Sequence, residues 1–302
     1  GRAGSGVGLD GPASAESILK LLNDAGYAIS ATPHAADLFH DLTEGESEPL
    51  LDISAYRRFF ESLPQTAQDD VVARWGTPEN DPAFDNGFFN HRVLDLGGVV
   101  VAIQPDRGAA STRKATYHDP QVPPSHGYIA FHAWLLNERR IDAMVFVGAH
   151  GTLEWLPGKA VALSESCFPR LLLGPTPVLY PFIVNNPGEA AQAKRRLGAV
   201  TIGHMTPPVM NTELDQGLAD IEALVDEFSH AQSLDPRRAT RLADEIVASA
   251  SVSGLLEDCG INADMSKEEA IVRLDAMLCD LKEMRIRDGQ HIFGVAGNAP
   301  DQ

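Results

Sequence analysis

Within the stretch Val145 to Lys159, VFVGAHGTLEWLPGK, a histidine and a glutamate stand four residues apart, and no other pair in the chain is better suited to chemistry. His150 offers an imidazole that changes charge near neutral pH. Glu154 offers a carboxylate that can accept a proton or ligate a cation. Both follow an apolar, β-branched run, Ile141 to Val147, that stops at Gly148. In an open α/β sheet, ligands bind in the crevice beyond the carboxyl ends of the strands, so the pair is expected where proton transfer, metal ligation or both can occur. The plainer alternative is a His–Glu pair that only ties a loop together. A metal-dependent hydrolase ranks lowest, because HGTLE lacks the HExxH spacing of a zinc-protease helix.

The elements that must position this pair are legible as alternating patterns. Apolar runs predict buried strands at 99–103, 143–147, 177–184 and 199–202, with helices at 128–139 and 187–197 between them. Such alternation points to parallel pairing. Polar clusters coincide with the strand ends: Gln104-Pro-Asp-Arg107-Gly, then Tyr117-His118-Asp119-Pro120 with Pro123-Pro124-Ser-His126, then His150 and Glu154, then Asn185-Asn186-Pro187-Gly188-Glu189, and lastly His204. Clustering at one edge is what a binding crevice requires. Each cluster also has a plainer reading: Asn186-Pro187 is a serviceable helix start, Lys194-Arg195-Arg196 an exposed helix face, and His126 a surface residue before a helix. His91, His132 and His230 are read as structural, and Trp155 as an anchor or as a flat surface for a macrocycle.

Upstream, helices are expected from Ser14, acting as the cap, to Gly26, at 35–42, and at 53–75 with an interruption at Pro64; 27–29 reads as a short strand and 76–90 as a loop. Downstream of Pro208 the three- and four-residue apolar spacing predicts helices at 212–230, 236–253 and 266–284. The expected division is therefore 1–93, a mixed helical segment; 94–210, a parallel α/β core carrying the site; and 211–302, a helical segment.

At 302 residues, 44% hydrophobic and 22% charged, the chain can bury a substantial core. Its 42 acidic against 24 basic residues give a net charge of −18, which argues against nucleic acid or an anionic membrane as partner. Cys167, Cys259 and Cys279 form no CxxC pair, pointing to a reducing, cytoplasmic setting without disulfides or structural zinc. No apolar stretch approaches the ~20 residues that span a bilayer. The opening GRAGSGVGLDGPAS has no initiator Met and reads as the interior of something longer.

Taken together, the motifs resemble those of the large subunit of the class I ATP-dependent metal chelatases of tetrapyrrole synthesis, a family shared by CobN-type cobaltochelatases and the H-type subunits of magnesium chelatases. The resemblance rests on RWG at 74–76, Gln104-Pro-x-Arg-Gly, YHDP with PPxH at 117–126, HGTLEWLPGK at 150–159, LSESCFP at 163–169, YPFIVNNPGEAAQAKRR at 180–196, GHMTPP at 203–208 and MRIRDGQHIFG at 284–294. Trp155-Leu156 and Tyr180-Pro-Phe-Ile-Val point to the cobalt branch. Ala149, Ser125 and His132 depart from the family pattern, and Ala149 removes a cationic side chain that could meet a substrate carboxylate.

The resemblance implies a fragment of a longer subunit that binds hydrogenobyrinic acid a,c-diamide and inserts Co²⁺, a substrate metal, in cobalamin biosynthesis. Separate AAA+ subunits would hydrolyse ATP and hold its Mg²⁺; this chain has no GxxxxGK[ST] loop. Glu154 and His150 would be catalytic, and His150, Glu154, Asp119 and His118 would ligate the metal in transit. Arg107, His126, Asn185, Asn186, Lys194 and Arg195, with Arg196, would bind the macrocycle and its carboxylates. The alternatives are an H-type magnesium chelatase subunit acting on protoporphyrin IX and a non-catalytic tetrapyrrole carrier.

Overall fold

The computed structural model describes residues 5–6, 8–108, 119–148, 151–185, 187–203, 216–258, 261, 265–267, 269–271, 273–275, 278 and 291–295. The chain divides into two compact units, one drawn from residues 3–205 with 292–296, the other from 206–291.

The first unit is α/β. Its centre is a three-stranded parallel sheet in the order β8 (Met144–Val145), β9 (Val178–Pro181), β10 (Val200–Ile202), with Val145 and Val200 both level with Leu179. The links between these strands carry helix α6 (Phe168–Leu173) and helix α7 (Pro187–Gln192), so all three strands run the same way and end at one edge. Around this lie an antiparallel sheet, β3 (Glu48–Asp52), β5 (Phe88–His91), β4 (Phe84–Asp85), and a hairpin of β6 (Val93–Asp95) with β7 (Val100–Ala102). Two-residue strands β1 (Ser5–Gly6) and β2 (Leu9–Asp10) pair antiparallel.

Three local expectations change. The run at 99–103 joins the hairpin rather than the parallel sheet, because its partner lies only four residues upstream, whereas a parallel crossover needs a dozen or more. The expected loop 76–90 holds a 3₁₀ turn (Pro78–Asn80) and the hairpin β4–β5. Its turn is Asn86-Gly87, both at positive φ (49° and 88°), the residue pair that a two-residue hairpin favours. Ser14 is not the cap of helix α1 (Gly11–Asp24). Asp10 caps it by accepting from the Ala13 amide at 2.9 Å, while Ser14 is buried and accepts from the Phe293 amide at 3.0 Å.

Helix α2 (Ala35–Thr43) follows, and the expected 53–75 helix is indeed broken at Pro64 into α3 (Ile53–Glu61) and α4 (Gln65–Trp75). Tyr56 and Phe60 of α3 and Val71 of α4 share one core with the sheet residues Val178 and Tyr180. At the heart of that core is helix α5 (His126–Ala133), buried at every position and capped by Ser125. It runs on as a π turn, Trp134–Glu138. The second unit pairs α8 (Gln216–Leu234) with α9 (Pro236–Val252), followed by α10 (Leu255–Asp258), around Ile221, Val225, Phe228, Leu242 and Ile246. Much of the expected 266–284 helix lies outside the described residues. Among the described residues no helix is long and apolar enough to cross a membrane.

Burial of α5 keeps its histidines neutral. Desolvation lowers His132 to about 4, helped by the neighbouring His91, and desolvation lowers His91 likewise to about 4. Unfolded imidazoles titrate near 6.5. Between those values the unfolded chain binds more protons, so stability is full above 6.5 and falls as pH drops toward 4. The urea midpoint should therefore be lower at about pH 5 than at about pH 7.5, and His132→Phe should shrink the difference.

Candidate functional site

Beyond the end of β8 the chain makes a 3₁₀ turn, Leu153–Trp155, whose middle residue is Glu154. Glu154 is 0% exposed. Its carboxyl group and the hydroxyl of Tyr180, on β9, both crowd Gly151. A Cβ at that position would lie 2.5 Å from Glu154 Oε1, 2.6 Å from Oε2 and 2.6 Å from Tyr180 Oη. Glycine at 151 is thus a condition of having the carboxyl group there. Nearby, a chain of polar groups runs from Gln104 through the Tyr128 hydroxyl (2.7 Å) to Thr152 (2.9 Å), tying the Gly151–Thr152 corner to α5.

A 3₁₀ turn leaves its last carbonyls without partners inside the turn. Two buried arginines supply them. Arg196 donates from Nη1 to the Glu154 carbonyl at 2.5 Å and from Nε to the Lys159 carbonyl at 3.1 Å. Arg107 donates to the next carbonyl, Trp155, at 3.3 Å, and to the carbonyls of Asp119 (2.8 Å) and Val122. The Trp155 indole donates to Glu189, a buried carboxylate in the first turn of α7, at 2.6 Å. Desolvation lowers the pKa of Arg196, opposed by the charges of Cys167 and Glu154.

The segments flagged in the sequence meet at this turn to different degrees. Arg107 and Asp119 join Trp155 through backbone carbonyls; the Asp119 side chain is half-buried and accepts from the Gln121 amide at 2.9 Å. His126 is buried. Its Nε2 faces the Gly76 carbonyl at 3.0 Å, so that nitrogen carries the proton, and its Nδ1 accepts from the Tyr56 hydroxyl at 2.5 Å. Both nitrogens are thereby engaged by the protein, and desolvation lowers the imidazole's pKa. Lys194 and Arg195 are exposed on a π turn, Ala193–Leu197, that extends α7. His118, His150, Asn186 and His204 lie outside the described residues, as does the side chain of Asn185. Among the described residues no group of three or more His, Cys, Asp or Glu is arranged to hold a metal ion.

Several residues take roles here that the sequence did not give them. Arg196 is buried while its two basic neighbours are exposed, and the signal was its place beside the apolar stripe Ala190, Ala193, Leu197. Glu189 looked like a helix-start residue and is also the partner of Trp155. Phe182, directly after β9, adopts φ +77°, a conformation that bulky side chains avoid at a cost of ~1–3 kcal/mol. The strained link leads into the 3₁₀ turn Ile183–Asn185, so backbone strain is stored directly after β9.

Comparison with known proteins matches residues 1–301 to the family model described as CobN/Magnesium Chelatase. The aerobic cobaltochelatase subunit CobN of a Sinorhizobium species is 47% identical over 98% of this chain and 24% of its own length. The same-named subunit of Pseudomonas aeruginosa is 45% identical over 97% of this chain and 24% of its own length. The H-type magnesium-chelatase subunit of Chlorobaculum parvum is 27% identical over the whole chain and 24% of its own length. Among solved structures, the catalytic subunit of cobaltochelatase from Mycobacterium tuberculosis aligns with a TM-score of 0.64 and 33% identity over 98% of this chain and 27% of that one. The chain thus spans about a quarter of the length of these relatives.

Gly151→Ala should force the Glu154 carboxyl group or Tyr180 to move. The expected destabilisation is ~1–3 kcal/mol, as for overpacking elsewhere in protein cores. Chemical denaturation of the variant against the parent chain checks it; an unchanged midpoint would mean the corner relaxes freely.

Proposed function

This chain belongs to the CobN/magnesium chelatase family, and on that premise we propose that it is the site-bearing section of a cobaltochelatase large subunit. In this reading the whole subunit binds a corrin-type tetrapyrrole, hydrogenobyrinic acid a,c-diamide, and inserts Co²⁺ into it in the cytoplasm. ATP is hydrolysed, with its Mg²⁺, on separate AAA+ subunits. Identity of 47% to a CobN subunit against 27% to an H-type magnesium-chelatase subunit favours cobalt over magnesium.

The observation that carries the proposal is the fully buried Glu154 on a turn pinned beyond the end of a parallel strand. Insertion requires that two pyrrolic N–H protons leave and that a hydrated cation exchange water for four ring nitrogens. A carboxylate held in a fixed place can accept those protons. It can also ligate the cation in transit, with His150, His118 and Asp119 proposed as further ligands. Trp155, partly buried beside Glu154, offers a flat apolar face to the macrocycle. Exposed Lys194 and Arg195, with Asn185 and Asn186, suit the peripheral carboxylates. Arg107 and His126 serve the same site by shaping its wall: Arg107 holds the Trp155, Asp119 and Val122 carbonyls, and His126 is held between the Gly76 carbonyl and the Tyr56 hydroxyl.

In the full-length subunit with its partners, Glu154→Gln should keep tetrapyrrole affinity and lose insertion by about 10²–10⁴-fold, the usual cost of losing a general base. Affinity is read by tetrapyrrole fluorescence or absorbance titration and insertion by the spectral change on metallation; unchanged turnover would sink the assignment. Parallel Co²⁺ and Mg²⁺ titrations separate the two branches, and binding without insertion in a complete assembly would favour a carrier. The large subunit alone should hydrolyse no ATP, and a steady ATPase rate surviving rigorous purification would overturn the separate motor.

A further inference from the structure

The loop that leaves Glu154 returns on itself around one guanidinium and one thiol. Arg196, 95% buried by its 5% exposure, reaches across to the carbonyls of Glu154 and Lys159, the two ends of the LEWLPGK loop that carry chemistry and charge. Cys167, 1% exposed, accepts on Sγ from the amides of Lys159 and Ser164, each at 3.3 Å, and shares a hydrogen bond with the Ser164 hydroxyl at 3.3 Å. Two amide donors directed at one sulfur suit a thiolate better than a thiol, and the Ser164 hydroxyl can turn its own hydrogen toward the same sulfur.

Both groups pack against Gly158. A Cβ there would stand 2.9 Å from Sγ and 3.1 Å from Nη2 of Arg196. That Nη2 is buried and makes no hydrogen bond. A buried guanidinium nitrogen without an acceptor is costly unless a negative charge stands close by. Burial opposes ionisation of Cys167, yet the Ser164 hydroxyl, the two amides and Arg196 together hold its thiol below the ordinary value. The charge of each group favours the ionised form of the other.

We propose that Arg196 is a positioning residue for Glu154 and that Cys167, as a thiolate, is the buried anion that fixes Arg196 in place. The pair acts through the backbone: the thiolate orients the guanidinium, and the guanidinium sets the Glu154 and Lys159 carbonyls and hence the angle at which the Glu154 side chain enters the site. The assignment of catalysis rests on the reading of Glu154 given above; the ion pair does not.

The test has two arms. In a Cys259→Ser/Cys279→Ser background, the pH titration of ultraviolet thiolate absorbance reports Cys167 alone. Arg196→Met should move its midpoint upward and Arg196→Lys should move it less, because lysine keeps the charge. In the full subunit with its partners, both variants should lower kcat for Co²⁺ insertion into hydrogenobyrinic acid a,c-diamide on the order of 10–100-fold, as expected when a reacting group is misplaced by about 1 Å. KM should stay within about twofold, and Lys should retain more activity than Met. Cys167→Ser, which preserves size without the charge, should reproduce the kcat loss even if an Arg196 variant fails to fold. A thiol titration indifferent to residue 196 would overturn the ion pair. A shifted titration with unchanged kcat, while Glu154→Gln is inactive, would overturn the positioning role. Full activity of Glu154→Gln would instead fault the catalytic reading and with it the positioning role, leaving the titration to decide the pair alone.

Discussion

The constraint on which this structure turns is that a carboxyl group and the ends of a 3₁₀ turn are removed from water together. Glu154 has no exposed surface, and the carbonyls of Glu154 and Trp155 take their hydrogen bonds from side chains of distant segments. Leaving such groups without partners costs several kcal/mol in total, at about 1–3 kcal/mol each. The solution is to bury two guanidiniums as well, Arg196 on the first carbonyl and Arg107 on the second. Each planar fork then reaches a second segment: Lys159 for Arg196, and Asp119 with Val122 for Arg107. Satisfying one turn therefore draws four stretches of chain together.

This arrangement trades general stability for definition. Buried charges rarely improve on well-packed apolar residues in free energy, but they tolerate few alternative geometries, since displacing one partner strands the other. A site that must present a carboxylate at a set angle benefits from such rigidity. The apolar core provides the frame: α5 is buried on every side, His126 is held between Tyr56 and the Gly76 carbonyl, and the Gln104–Tyr128–Thr152 chain joins that helix to the Gly151 corner. The two widened turns, Trp134–Glu138 and Ala193–Leu197, end α5 and α7, and the second of them carries Arg196. Wide turns of this kind recur near functional sites because they change which residue faces inward.

Much of this was legible from local pattern. The α/β class, the runs that became β8, β9 and β10 and the break at Pro64 all follow from apolar periodicity and from proline and glycine chemistry, which act over a few residues. Local pattern failed where the strands were shortest. A three-residue β6 and a two-residue β4 are too brief to show a period, although Asn86-Gly87 announced the second hairpin.

What the sequence determined by itself was which residues offer chemistry: a carboxylate and an imidazole after an apolar run, with a tryptophan beside them. What only the tertiary structure decided was which charged residues turn inward. Lys194, Arg195 and Arg196 are adjacent and chemically alike, yet two are exposed and the third is buried beneath Glu154. The apolar stripe Ala190, Ala193, Leu197 hints at which of them turns inward, but the acceptors that make burial of Arg196 tolerable, the Lys159 and Glu154 carbonyls, lie 37 and 42 residues earlier in the chain and become its neighbours only when the parallel strands have paired.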